Sequence, residues 1–125
     1  MTGAFASREG DETEQIPGVV VFRFDAPLIY ANAGAFAYAG RDLVDAADPP
    51  AQVLVVDCEE MFAVDFTGAG ALTGLAEDMR ERGVEVRLAR VHKPVLERLR
   101  ASGVVELLGE EKIFRRVEDA VTAGS

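Results

Sequence analysis

Residues 53–83 read VLVVDCEEMFAVDFTGAGALTGLAEDMRERG, and this stretch decides the fold. Val53-Leu54-Val55-Val56 is an uninterrupted apolar run, short and β-branched, which suits a central strand buried on both faces. Over residues 68–82 the period changes. Ala71, Leu72, Leu75, Ala76 and Met79 recur at helical spacing, and Gly83 supplies a left-handed stop. A buried strand that turns into an amphipathic helix is the unit of a layered α/β domain.

Outward from this unit the pattern repeats. Downstream, Val84, Val86 and Leu88 alternate with Glu85 and Arg87, which predicts a half-exposed strand. A third helix is predicted from Lys93 or Pro94 to Ser102, with Pro favourable in its first turn and Gly103 after its end. Leu107-Leu108 is apolar without a clear period. Ile113-Phe114 reads as a short edge strand, and residues 116–122 as a closing helix. Upstream, residues 19–24 are β-branched and aromatic and read as a strand. Asp25-Ala26-Pro27 turns the chain, and Leu28-Ile29-Tyr30 is expected as the hairpin partner. Asn32 is placed to cap a helix that runs to about Ala47 and stops at Asp48-Pro49-Pro50. The alternation predicts an α/β domain with a mixed sheet. Residues 1–16 are polar, acidic and aperiodic, and read as a flexible leader or an expression remnant. Residues 17–122 form the domain, and 123–125 read as a disordered tail.

Composition bounds the function. The chain has 125 residues, the size of one domain, and its 49% hydrophobic content argues against bulk disorder. No apolar run approaches the length that crosses a bilayer. The first fifteen residues lack the basic and apolar regions of a secretory signal. The formal charge of −9 disfavours nucleic acid as a partner. That charge is uneven: residues 1–79 hold 3 basic and 14 acidic groups, and residues 80–125 hold 10 and 8. An anionic small ligand is therefore compatible with the C-terminal half. A single cysteine, Cys58, and a single histidine, His92, leave no set of metal ligands. No cofactor is required by any motif.

The segment with chemical potential is Val64-Asp65-Phe66-Thr67-Gly68-Ala69-Gly70-Ala71. It leads from the buried strand into the amphipathic helix, where unpaired N–H groups and the helix dipole attract anions. Gly68 and Gly70 carry no Cβ, so a phosphate or a partner backbone can come close. Equally, Asp65 or Thr67 can be a plain N-cap and the glycines can serve packing. The segment lacks the Lys and Ser/Thr of a Walker motif and the frame of a dinucleotide fingerprint. Arg90, His92 and Lys93 form a basic cluster before the third helix, either a phosphate contact or a solvated turn. If the preceding strands are parallel, this cluster and the Thr67 loop share one sheet edge. Asp57, Glu59 and Glu60 read as a solvated acidic loop. Cys58 reads as a small structural residue. Phe22, Phe24, Tyr30 and Phe36 read as core, whereas Phe62 and Phe66 sit in a loop, where exposed aromatics meet partners.

Three stretches together resemble a known family. The opening, residues 17–33, PGVVVFRFDAPLIYANA, looks like the start of a STAS domain, and most like the C-terminal domain of SulP-type sulfate and anion permeases. Val55-Val56-Asp57, followed by Val64-Asp65-Phe66-Thr67-Gly68, is similar to the family's Asp-Ser-Ser/Thr-Gly signature. Residues 83–91, then Pro94-Val95 and Ser102-Gly103, complete the match, which spans about residues 17–121. The resemblance implies a central sheet of four or five strands with about four packed helices. It implies a regulatory domain rather than an enzyme, on the cytoplasmic face of the plasma membrane, joined to a transmembrane domain of the same transporter.

In the related anti-sigma-factor antagonists the signature carries a phosphorylated Ser or Thr, and that position is Thr67 here. Phe66 stands where Ser is usual. The resemblance also implies a purine nucleotide (GTP, GDP or ATP) as a ligand, with Asp65, Phe66, Thr67, Gly68, Ala69, Gly70, Arg90, His92 and Lys93 as the candidate site. The alternative expectation is a stand-alone phospho-switch that releases a regulatory protein. Nucleotide hydrolysis needs metal ligands and a positioned water, and neither is legible.

Overall fold

The computed structural model describes residues 6–7 and 16–124. Among the described residues the sheet has five strands in chain order: β1 (Ala6–Ser7), β2 (Val19–Phe24), β3 (Val53–Asp57), β4 (Glu85–Ala89) and β5 (Ile113–Phe114). β2 to β5 are parallel, and β1 pairs antiparallel with β2, so the sheet is mixed. Ala6–Ser7 lie within the stretch read as a leader; the rest of residues 1–15 and Ser125 lie outside the described residues. Among the described residues the α-helices are α1 (Ala33–Asp45), α2 (Phe66–Glu81), α3 (Lys93–Ala101), α4 (Val104–Leu108) and α5 (Val117–Thr122), with a 3-10 turn at Glu110–Lys112 before β5.

The period of two along each strand sorts the core into two layers. Val20, Phe22, Phe24, Leu54, Val56, Val86 and Leu88 face the large layer, which α1 to α4 cover. Phe22, Phe24 and Phe36 form its aromatic centre, with ring centroids 5.0 to 6.2 Å apart. Val21, Val55 and Ala89 face the opposite layer with Ala120 and Val121 of α5. Burial on both faces is what the unbroken apolar run of β3 requires.

Several expectations change. Leu28–Tyr30 is not the hairpin partner of β2, because β1 and β3 already hold both its edges. The segment instead runs parallel beside residues 63–65, through a bridge between Leu28 and Val64. Tyr30 is not core: it is 75% exposed. β4 is not half-exposed, since Val86 to Ala89 are all buried. Arg87 lies under α5, where Nη1 donates to the Ala120 carbonyl at 2.7 Å and Nε to Glu85 at 2.6 Å. A guanidinium held at both ends is tolerated inside. α2 begins two residues earlier than expected, at Phe66. Leu107-Leu108 finds its place at the end of α4, which follows Gly103 in the left-handed region.

Candidate functional site

Parallel strands send their following loops to one edge of the sheet, and the candidate residues gather there. The β3–α2 loop ends at Asp65, the N-cap of α2. Asp65 Oδ1 accepts the Gly68 N–H at 2.7 Å, and Oδ2 accepts the Tyr30 N–H at 3.0 Å. Two further backbone bonds tie the same segments: Leu28 N–H to the Ala63 carbonyl at 2.9 Å, and Asp65 N–H to the Leu28 carbonyl at 3.1 Å. The Gly68 N–H, helped by that of Tyr30 and more weakly by that of Thr67, holds the Asp65 carboxyl below the usual carboxylate range. The N–H groups that an anion would use are thus turned onto Asp65.

Gly68 is required by its surroundings. A Cβ there would overlap the Leu28 carbonyl, whose carbon would lie 2.7 Å away. The close approach foreseen for this glycine is made by the chain's own backbone. Gly70 faces open space. Ala69 is buried, while Thr67 is exposed in the first turn of α2. Phe66, beside it, is 82% exposed.

The β4–α3 loop carries the second group. Arg90 has a left-handed backbone, φ 60°, and its N–H donates to the Phe114 carbonyl at 3.0 Å. Its guanidinium clasps Asp57 by Nε at 3.1 Å and Nη2 at 2.7 Å, and Nη2 also reaches Glu59 at 2.8 Å. Asp57, 3% exposed, is therefore a buried ion-pair partner and not part of a solvated acidic loop. The Asp57 carboxylate, then Glu59, raise the Arg90 pKa further. His92 Nε2 lies 2.6 Å from the Glu59 carbonyl, which can only accept, so Nε2 carries the proton. The imidazole stacks on Phe62, centroids 4.7 Å apart. Lys93 is exposed at the start of α3.

The structure brings Arg90 and His92 into one cleft of about 540 Å³ floored by Leu96 and Ile113. The lining of that cleft does not include residues 65–70. Strand order never reverses from β2 to β5, so the sheet has no topological switch point among the described residues. Sequence reasoning missed the role of Asp57, the contact of His92 with Phe62, and the Tyr30 anchor. A lone carboxylate directly after an apolar strand was the available signal for Asp57, since a buried charge demands a partner.

No helix among the described residues is long and apolar enough to cross a membrane. The family model described as the STAS domain matches residues 12–120. A probable sulfate transporter of Mycobacterium tuberculosis is 35% identical over 112 residues, which are 90% of this chain and 20% of that protein. The chain thus spans about a fifth of the length of such curated relatives. A sulfate transporter family protein from Wolinella succinogenes has a TM-score of 0.76 at 22% identity, covering 92% of each chain. The murine anion transporter Solute Carrier 26 family member A9, in its inward-facing state, has a TM-score of 0.76 at 23% identity, covering 93% of this chain and 21% of that one. A putative anti-sigma factor antagonist from Thermotoga maritima has a TM-score of 0.70 at 15% identity, covering 84% and 86%. These structural likenesses are likenesses of fold.

Proposed function

The chain belongs to the STAS domain family, and from that premise we propose that it is the regulatory cytoplasmic domain of a SulP-type sulfate or anion transporter. The observation that carries this reading is the 35% identity to a probable sulfate transporter across 90% of the chain. Its partner is the transmembrane domain of the same transporter. Its work is to bias transport and not to catalyse a reaction.

The input is the Thr67 loop. Of the two signals, a phosphoryl group on Thr67 suits the geometry better than a bound purine nucleotide. Thr67 is exposed at a helix N-terminus. A phosphate there adds about −1.5 to −2 charges, which the helix dipole attracts and the Asp65 carboxylate repels. The resulting conflict can loosen the Asp65 bonds that hold residues 28–30. A nucleotide phosphate needs donors, and those of Gly68 and Arg90 already serve Asp65 and Asp57.

Sulfate uptake tests the reading in cells carrying the intact gene. Deleting residues 17–122, or introducing Thr67→Asp, is expected to change uptake, while Thr67→Ala removes any response to phosphorylation. Uptake unaffected by the deletion sinks the regulatory role. Titration of the labelled domain with GTP, GDP and ATP, read by amide shifts at residues 65–70 and 90–93, decides the nucleotide. A stand-alone phospho-switch shares the fold and the exposed threonine. It predicts release of a separate protein on Thr67 phosphorylation with no membrane region in the gene product.

A further inference from the structure

We infer that Tyr30, Phe62 and Phe66 form a docking rim for a Lys- or Arg-rich segment bordering the transporter's membrane domain. The inference rests on the regulatory reading above and adds to it the surface and the chemistry of its partner.

Among the described residues four large hydrophobic side chains are exposed, and three lie on this rim: Tyr30 at 75%, Phe62 at 62% and Phe66 at 82%. Tyr30 comes from the β2–α1 loop, Phe62 and Phe66 come from the β3–α2 connection, and backbone bonds tie the two segments together. Tyr30 N–H is anchored on the Asp65 carboxylate, and Phe66 is the next residue in the chain. Leu28 N–H is anchored on Ala63, next to Phe62. The stack of His92 on Phe62 closes the far end. Aromatic side chains gathered on one solvent-facing edge fit a protein interface better than scattered exposure does.

Charge selects the occupant. The rim and its loops carry five carboxylates, Asp25, Asp57, Glu59, Glu60 and Asp65, of which Asp57 is buried on Arg90, against three cations, Arg23, Arg90 and, next to His92, Lys93. The first lysine of the chain is Lys93. Aromatic faces amid surplus carboxylates attract cationic side chains by cation–π and Coulomb terms together. Anionic lipid headgroups are repelled by the same field, and so is the same rim of a second copy. The cytoplasmic loops and helix ends of membrane proteins carry an excess of Lys and Arg. They are the cationic surface that a domain tethered at that face meets first.

Two measurements test the rim. The labelled domain is titrated with a short Lys/Leu peptide. Saturable amide shifts centred on Tyr30, Phe62 and Phe66 are expected, with affinity falling at least tenfold in Tyr30→Ala/Phe66→Ala. Shifts elsewhere, or equal shifts with phosphatidylserine vesicles, overturn the proposal. In the intact gene product, Ala63→Cys, exposed beside Phe62 and leaving all three aromatic residues in place, is treated with a thiol-to-amine cross-linker, with exposed Glu106→Cys as control. Cys58 is fully buried and does not compete. Cross-links from position 63, and not from 106, to lysines beside the membrane spans support the rim. Cross-links from position 63 to a separate protein, to a second domain, or to nothing overturn it while leaving the regulatory reading standing. A gene product without a membrane region overturns both.

Discussion

Arg90 closes on Asp57 with two parallel hydrogen bonds, at 3.1 and 2.7 Å, across the C-terminal ends of neighbouring parallel strands. The register that sets Asp57 opposite Ala89 puts the next residue, Arg90, in reach. A left-handed turn at φ 60° then swings its side chain back over β3. A carboxylate that ends a buried strand is thereby neutralised where water is excluded, and the β3–α2 and β4–α3 loops are fastened to each other.

Arg90→Ala leaves a buried carboxylate unpaired. The expected loss is about 2 kcal/mol, below the range for fully buried pairs because Arg90 is 35% exposed. Arg90→Gly loses the same ion pair but accepts the left-handed backbone, so it is expected to be about 1 kcal/mol more stable than Arg90→Ala. Urea unfolding of the two variants checks the order; equal midpoints sink the backbone part of the argument.

Gly68→Ala places a methyl against the Leu28 carbonyl and is expected to destabilise by about 2 kcal/mol despite the better helix propensity of Ala. Gly70→Ala and Gly74→Ala meet open space and are expected to stabilise by up to about 1 kcal/mol. Opposite signs within one helix, read by thermal melts, separate close approach from propensity.

Asp65 has a lowered pKa, chiefly from the Gly68 N–H. A lowered folded value means that its contribution is present above the unfolded value, about pH 4, and is lost as pH falls through the folded value. Asp65→Asn keeps an acceptor for Gly68 but loses the one for Tyr30. Its stability is expected to fall less steeply between about pH 4 and the folded value than that of the parent chain. Some acid slope persists because Arg41 also holds the Asp78 carboxyl low. Parallel acid titrations of unfolding would show identical slopes if Asp65 were not a charged cap.

Burial, with the Asp57 charge adding to it, pushes the Cys58 thiol up to about 12. Maleimide at neutral pH is expected to leave the native chain unmodified and to label it completely in denaturant. Rapid native labelling, at a rate independent of unfolding, contradicts the burial.

Much of the fold was legible. The apolar run of β3, the helical spacing of α2, the stop at Gly83 and the edge strand Ile113–Phe114 each follow from local period and punctuation. A cap at Asp65 or Thr67 was legible for the same reason, since a cap bonds within its own first turn, and the structure makes it Asp65. Leu28–Tyr30 was misread as a hairpin strand because its partner, residues 63–65, lies more than thirty positions away. Tyr30 looked like core because an aromatic residue beside Leu28 and Ile29 carries no mark of its outward direction. Arg87 looked solvent-facing because alternation reveals two faces but not that α5 covers the second.

By itself the sequence determined what depends on neighbours along the chain: alternating strands and helices, their ends, a cap at Asp65 or Thr67 and the family signature. Only the tertiary structure decided what depends on distant segments meeting. It turned Gly68 from an open cradle into a seat for the Leu28 carbonyl, and paired Asp57 with Arg90 instead of water. It also anchored the Tyr30 N–H on the Asp65 carboxylate, one residue before Phe66. Local propensity is encoded in a few residues, whereas burial, partner choice and shared surfaces arise only when strand register fixes which distant atoms touch.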